Sequence, residues 1–210
     1  MESKNIEVER TVFFSDAVIA IAITLLALEL KVETEDDQTL HFSDILDQWK
    51  SLVAFLLSFI NIALFWKVHH TFFAHIIQID NRLLFYNLIW LFFIVLIPFS
   101  TSLFGFHLFN FAAVVTYSIN VLFVTIFQNL IWDYASNKKY YKKLDVIDEL
   151  TYSELRLYCN LDIGNSVISI GLSFFSPALA FILLFTKLPI LLVVVFFYQK
   201  KRRRKKHRKL

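Results

Sequence analysis

The sequence predicts an all-α, polytopic membrane protein. Of its 210 residues 57% are hydrophobic, 24 are phenylalanine and only three are glycine, a composition that excludes an ordinary soluble domain. Several apolar segments reach the length of about 20 residues that a helix needs to cross a bilayer. Charge is also segregated, since nine of the 21 Lys and Arg residues lie between Lys200 and Lys209.

We expect six transmembrane helices in one membrane domain over residues 1–199, followed by a basic tail over 200–210. The fifth helix is the least apolar, because Asn160 and Asp162 interrupt its start. Pro177 separates it from the sixth, since proline cannot continue a helix and restricts the residue before it. We expect residues 133–156 to form a helical cytoplasmic linker. The predicted spans are 11–31, 49–69, 83–104, 109–132, 157–175 and 178–199.

Basic residues near helix ends favour the cytoplasmic side. Residues 138–143 hold four lysines, and the tail holds nine basic residues, so both are expected inside the cell. Six spans then place both termini in the cytoplasm, and the acidic segment 33–47 lies outside or in a lumen. Because the tail directly follows a span, we expect it to bind anionic lipid and not nucleic acid.

The first predicted helix begins with an unusual polar cluster of Arg10, Ser15 and Asp16. A charged group at bilayer depth costs roughly 2.5 to 3.5 kcal/mol on insertion scales, so such residues usually pair or serve a polar pathway. Polar residues also end the second helix and begin the third. We expect Ser15 and Asp16 to bond to His70 and Asn87, with Arg10 supplying charge at the rim.

A second pattern on the first helix is apolar. At about 100° per residue, Phe14, Leu25 and Leu28 lie within about 40° of Ile21, and Thr24 lies at the edge of that face. Ser15 and Asp16 point elsewhere. For an isolated helix the pattern is more typical of a plain buried or lipid-facing stripe, because periodicity alone does not reveal a pore.

A metal site or an intramembrane hydrolase is a further possibility, since Asp16 is accompanied by His69, His70 and His75. The sequence has no His-Glu-x-x-His, Gly-x-Ser-x-Gly or Cys-x-x-Cys pattern, and Cys159 is its one cysteine. We therefore expect no enzyme, no bound metal and no cofactor. The sequence does not decide whether Lys187, within the sixth span, reaches the membrane surface or pairs with another group.

Five groups of residues recur along the chain in the order of one known family. They are Arg10-x-x-x-Phe14-Ser15-Asp16, Ala20-Ile21 with Thr24-Leu25-Leu26, Trp66-x-x-His69-His70, Asn81-Arg82-Leu83 with Asn87-Leu88, and Pro98-Phe99. Together they resemble the prokaryotic members of the transmembrane protein 175 family, relatives of the endosomal and lysosomal potassium channel. The Phe-Ser-Asp motif of the first helix is the most specific of them.

The resemblance implies a homotetramer of six-helix subunits in a prokaryotic cell membrane. Four copies of the first helix would line a central pathway for K⁺ and other monovalent cations. The constriction would be formed by Ile21, Leu25 and Leu28, with Thr24 as a nearby polar ring. The resemblance also implies a modest preference for K⁺ over Na⁺.

The sequence lacks the Thr-Val-Gly-Tyr-Gly filter whose carbonyl rings replace the hydration shell of K⁺ in many potassium channels. An apolar ring can instead block ions by dewetting when it is narrow, so Ile21, Leu25 and Leu28 are the expected gate. The alternative is a proton-coupled secondary transporter that uses Asp16 and histidines. Against it, no pair of broken helices occurs in corresponding halves of the chain. A membrane scaffold without transport activity is a third alternative.

Overall fold

The computed structural model describes residues 2–30, 42–137 and 149–207. All regular secondary structure in these ranges is helical, as the sequence predicts. The helices are α1 (Glu2–Leu28), α2 (Phe42–Asp47), α3 (Trp49–Phe73), α4 (Asn81–Val95), α5 (Ile97–Phe106), α6 (Phe111–Asn137), α7 (Glu149–Ser173) and α8 (Pro177–His207).

Four helical segments within the described residues are long and apolar enough to cross a membrane, and a shorter apolar segment, Pro177–Thr186, lies in α8. The prediction of an all-α, polytopic membrane protein is therefore confirmed. That the chain crosses the membrane six times remains a prediction, because α7 carries polar residues along its length. The four segments are Glu7–Leu28, Trp49–Phe73, Asn81–Phe106 and Phe111–Ser136.

The third of these segments consists of two helices. Helix α4 ends at Val95, and α5 begins at Ile97 with Pro98 in its first turn. Proline lacks a backbone N–H and is best tolerated in the first turn of a helix, so Pro98 accounts for the break. The hydroxyls of Ser100 and Thr101 donate to the carbonyl of Ile97, which supplies hydrogen bonds at this break.

The predicted cytoplasmic linker over 133–156 is helical at both ends, because α6 extends to Asn137 and α7 begins at Glu149. Its middle, residues 138–148, lies outside the described residues, as does most of the acidic segment 33–47. The predicted basic tail starts as a continuation of α8, which ends at His207.

The helices pack in layers around α3 to α6. Helix α1 packs against α3, α4 and α5, while α6 packs against α4 and α5, and α7 and α8 pack against α6 and each other. The core between α3 and α6 contains large aromatic side chains, such as Phe72 stacked on Trp132 with ring centroids 4.3 Å apart. This bundle supports one side of α1.

Candidate functional site

Helix α1 has a buried face and an uncovered face. On the first, Ser15, Ile19, Ala22 and Leu26 are at most 4% exposed because they pack against α3, α4 and α5. Successive residues of a helix are about 100° apart, so the opposite side of α1 remains uncovered by the described residues of this chain.

The uncovered face carries most of the residues that the sequence predicts to line a pore. Phe14 is 53% exposed, Ile21 59% and Leu28 67%, and Thr24 is exposed as well. Leu25 is half-buried, at the edge of this face. One side of α1 is therefore an apolar surface with a single hydroxyl among its exposed side chains between Ile21 and Leu28.

The hydroxyl of Thr24 donates to the carbonyl of Ile21 at 2.8 Å. This bond uses the hydroxyl proton, so the oxygen has only lone pairs left on the uncovered face. The Thr24 oxygen is thus an acceptor suited to a hydrated cation. It lies about one turn of α1 from both Ile21 and Leu28.

A buried hydrogen-bond network joins α1 to α3 and α4 near the start of the apolar stretch. Asn87 donates through Nδ2 to Ser15 Oγ at 2.9 Å, and Ser15 donates to the Thr11 carbonyl at 2.8 Å. His69 Nε2 lies 2.8 Å from Asn87 Oδ1. Because an amide oxygen only accepts, His69 Nε2 is the donor. The imidazole of His69 also stacks on Trp90, with centroids 4.4 Å apart.

Asp16 belongs to a separate contact between α1 and α3. Its carboxylate accepts a hydrogen bond from Trp66 Nε1 at 2.9 Å. Both residues line an open groove of about 430 Å³ between the two helices, whose other walls are apolar. The charge of Asp16 is thus held beside α3 and away from the face that carries Ile21.

The structure corrects the expected network in two respects. Ser15 does bond to Asn87, but Asp16 bonds to Trp66, and His69 occupies the position expected for His70. His69 lies on the face of α3 that packs against α4, whereas His70 is exposed with its ring 5.6 Å from that of Trp66. Adjacent residues on a helix point about 100° apart, so only one of the two histidines can enter the network.

The sequence contains a signal for this choice that the prediction missed. On α3, His69 follows Ile62 and Phe65 at intervals of three and four residues, and all three are buried. His70 is out of phase with that stripe. On α4, Trp90 lies in a similar buried stripe with Leu83 and Asn87. Trp66 has no comparable signal, because its bond to Asp16 depends on how α3 lies against α1.

The remaining candidates are placed as follows. Arg10 is exposed, about one and a half turns before Asp16 on α1. His75 Nδ1 donates to the Thr71 carbonyl at 2.7 Å, at the end of α3. Within residues 2–30, 42–137 and 149–207, no group of three or more His, Cys, Asp or Glu side chains is suited to hold a metal ion. The side chain of Lys187 lies outside the described part of the chain.

The chain is similar to proteins of one family. Residues 10–98 match the sequence model described as endosomal/lysosomal potassium channel TMEM175. A protein of a Chryseobacterium species, named as a potassium channel, is 32% identical over 171 residues, which cover 80% of this chain and 83% of the relative. A Streptomyces collinus protein, also named as a potassium channel, is 35% identical over 124 residues, or 57% of this chain. That match spans 60% of the relative, less than two thirds of its length.

The fold is similar to a solved structure as well. The crystal structure of a lysosomal potassium-selective channel TMEM175 homolog from Chamaesiphon minutus matches with a TM-score of 0.74 and 27% sequence identity. The match covers 91% of this chain and 98% of the other. Both the sequence and the arrangement of the helices thus agree with the same family.

Proposed function

The chain belongs to the family of the endosomal/lysosomal potassium channel TMEM175, and from this premise we propose that it forms a K⁺-conducting pore in a membrane. The observation that carries the proposal is the uncovered apolar face of α1, where Ile21 and Leu28 are 59% and 67% exposed. The opposite face of α1 packs on the chain's own bundle. The described residues of a single chain therefore leave the candidate pore wall open.

The pore is a homotetramer in which four copies of α1 surround a central pathway. The uncovered face supports this arrangement, because a helix that is apolar on both sides needs either lipid or protein against each of them. In the tetramer, the second side of α1 faces its symmetry mates across the pathway. Closed rotational symmetry makes the four lining surfaces identical.

Ile21, Leu25 and Leu28 form the constriction, and Thr24 forms a polar ring between them. Rings of apolar side chains expel water when they are narrow, and ions cannot cross a dry segment without losing their hydration shell. Widening of the rings admits water and restores conduction. The hydroxyl geometry of Thr24 supports the polar ring, since its oxygen is left as an acceptor.

K⁺ passes in preference to Na⁺ to a modest degree, and other monovalent cations also permeate. The sequence lacks the Thr-Val-Gly-Tyr-Gly filter, so selectivity arises along the α1 pathway. The permeant ion is the only ligand, and no cofactor takes part. The two polar contacts, Ser15 with Asn87 and Asp16 with Trp66, brace α1 from outside the pathway.

Each subunit spans a prokaryotic cell membrane six times, with both termini in the cytoplasm. The exposed Lys200 and Lys201 begin a strongly basic segment directly after the apolar part of α8. Basic residues in this position favour the cytoplasmic side and attract anionic lipid headgroups by about 1 kcal/mol each. The tail contacts lipid and not nucleic acid.

Reconstitution tests this function against a proton-coupled transporter. The purified protein is placed in liposomes loaded with K⁺, and K⁺ efflux is followed with and without a proton gradient. A channel releases K⁺ down its gradient without a coupled proton, and the rate rises in proportion to the driving force. Efflux that saturates with K⁺ and requires the proton gradient would contradict the proposal.

A further inference from the structure

Six polar side chains form a buried network between α3, α5 and α6, behind the part of α1 that carries the candidate constriction. Each of them is at most 7% exposed. Inside a membrane, buried polar groups depend on protein partners because the surrounding lipid offers none. The six residues are Ser58, Asn61, Ser100, Thr101, Tyr117 and Asn120.

The first branch of the network is a chain of hydroxyl groups. Tyr117 Oη lies 3.1 Å from Ser58 Oγ, Ser58 Oγ lies 2.7 Å from Thr101 Oγ1, and Thr101 Oγ1 lies 2.7 Å from the Ile97 carbonyl oxygen. Asn61 donates through Nδ2 to Tyr117 Oη at 2.8 Å. The branch therefore connects α6 to α5 through Ser58 of α3, while Asn61 of α3 bonds to Tyr117 alone.

The hydroxyl donors of this branch follow one direction. Thr101 has one hydroxyl proton, which it shares between the Ile97 carbonyl and Ser58 Oγ, and Ser58 donates to Tyr117 Oη. Tyr117 Oη also accepts from Asn61. Because each hydroxyl has a single proton, removal of one hydroxyl leaves its neighbours with an unmatched donor or acceptor.

A second branch ends at the same carbonyl. Asn120 donates through Nδ2 to Ser100 Oγ at 3.1 Å, and Ser100 donates to the Ile97 carbonyl at 2.9 Å. Ile97 is the first residue of α5, next to the break after α4. The two branches thus hold the start of α5 at a point where the helical backbone itself is interrupted.

Helix α5 packs against the buried face of α1. Thr101 and Leu26 line the same small void of about 10 Å³. A Cβ at Gly105 would lie 3.2 Å from Ser51 Cα, so α5 also packs tightly on α3 one turn after Thr101. Leu26 is fully buried. A shift of α5 would reach Leu26, since closely packed interiors transmit displacement.

We propose that the hydroxyl chain of Tyr117, Ser58 and Thr101 positions α5 against Leu26 and thereby sets the width of the constriction at Leu25 and Leu28. These are positioning residues, since they act on the ion through α1. The proposal rests on the proposed function of the chain as a K⁺ channel. It assigns a role in selectivity to three buried residues on helices away from the pathway.

The test compares substitutions that remove one hydroxyl and little volume. Thr101→Val and Tyr117→Phe each break the chain, whereas Thr101→Ser keeps the hydroxyl. Thr125→Val is the matched control, because Thr125 is also buried but, among the described residues, bonds only to carbonyls of its own helix, those of Val121 and Leu122. The permeability ratio of K⁺ to Na⁺ is measured for each variant in liposomes, and tetramer formation is followed by size-exclusion chromatography.

We expect Thr101→Val and Tyr117→Phe to lower the permeability ratio by roughly threefold, within the range found for mutations that alter coupling between distant sites. Thr101→Ser and Thr125→Val should keep the wild-type ratio. The double variant should change the ratio no more than either single one, because both substitutions break the same chain.

Unchanged ratios in both chain-breaking variants, or an equal change in Thr125→Val, would overturn the proposal. If Thr101→Val does not assemble, Tyr117→Phe provides the same comparison. Failure of both to assemble while Thr125→Val forms tetramers would also overturn it, because the chain would then be purely structural. Absence of K⁺ flux through the wild-type protein would contradict the proposed function itself, whereas normal wild-type flux with unchanged variants contradicts only the positioning role.

Discussion

The indole of Trp66 donates a hydrogen bond to the carboxylate of Asp16 across 2.9 Å, between α3 and α1. The contact accounts for a charged residue at membrane depth without placing it in an ion pathway. Asp16 lies in a groove against α3, while Ile21 points to the uncovered side of α1. The Asp16 carboxylate is therefore separated from the uncovered apolar face.

Loss of the Asp16 carboxylate should weaken assembly more than it changes selectivity. Asp16→Ala leaves the Trp66 N–H without its acceptor, and we expect a loss of roughly 1 kcal/mol or more of stability. Asp16→Asn should lose less, since an amide oxygen still accepts. Thermal dissociation of the tetramer is measured in detergent, with Asp47→Ala, an exposed carboxylate in α2, as the control. Intact Asp16→Ala tetramers with altered selectivity would contradict this assignment.

The two adjacent histidines of α3 should differ sharply on substitution. His69→Leu removes the donor to Asn87 and leaves a buried amide oxygen unpaired, which costs about 1 to 3 kcal/mol. His70→Leu changes an exposed side chain and should alter stability by less than about 0.5 kcal/mol. Thermal unfolding of the two variants is compared under identical detergent conditions. Equal losses of stability would show that the buried network does not hold α1.

A polar residue at the proposed constriction should increase conduction. Ile21→Asn wets the narrow ring, and we expect K⁺ flux to rise roughly tenfold, equivalent to about 1.4 kcal/mol off the barrier. The matched control is Ile168→Asn on α7, where the native isoleucine is 55% exposed against 59% for Ile21. Flux is measured in liposomes. A similar increase in both variants would indicate membrane leakage instead of a wetted pore.

The predicted topology can be tested by cysteine labelling, because the native Cys159 is the one cysteine and is buried. Leu210→Cys should react with a membrane-impermeant maleimide only after cells are permeabilised, since the basic tail is cytoplasmic. Thr39→Cys, in the acidic segment, should react in intact cells. Labelling of the wild-type protein gives the background reaction of Cys159. Labelling of Leu210→Cys in intact cells would reverse the proposed orientation.

The sequence predicts the helical class and the two faces of α1 because both follow from hydrophobic periodicity within one segment. Pro98 marks the break before α5, although residues 83–104 are predicted as one span. By contrast, the partner of Asp16 depends on the register between helices about 50 residues apart, which no local pattern encodes. The choice of His69 over His70 is predictable in part, because His69 belongs to the buried stripe of α3 and His70 does not.

The uncovered arc of α1 also differs in detail from the expected face. Thr24 is exposed while Leu25 is half-buried. The centre of the exposed face therefore lies on the Thr24 side of Ile21, whereas the helical periodicity predicts a face centred on Ile21 itself. The cause is packing of α1 against three other helices, which covers the Leu25 side first. The roles of Ile21, Leu25 and Leu28 in the constriction remain predictions for the conductance experiments above.

Single-channel recording under opposed K⁺ and Na⁺ gradients tests the central claim most directly. The purified protein in a planar bilayer should give discrete unitary currents whose reversal potential is displaced toward the K⁺ equilibrium potential, with no proton gradient present. Ile21→Asn should increase the unitary conductance in the same recordings. The absence of unitary currents, with K⁺ movement only when a proton gradient is imposed, would contradict a channel built on α1.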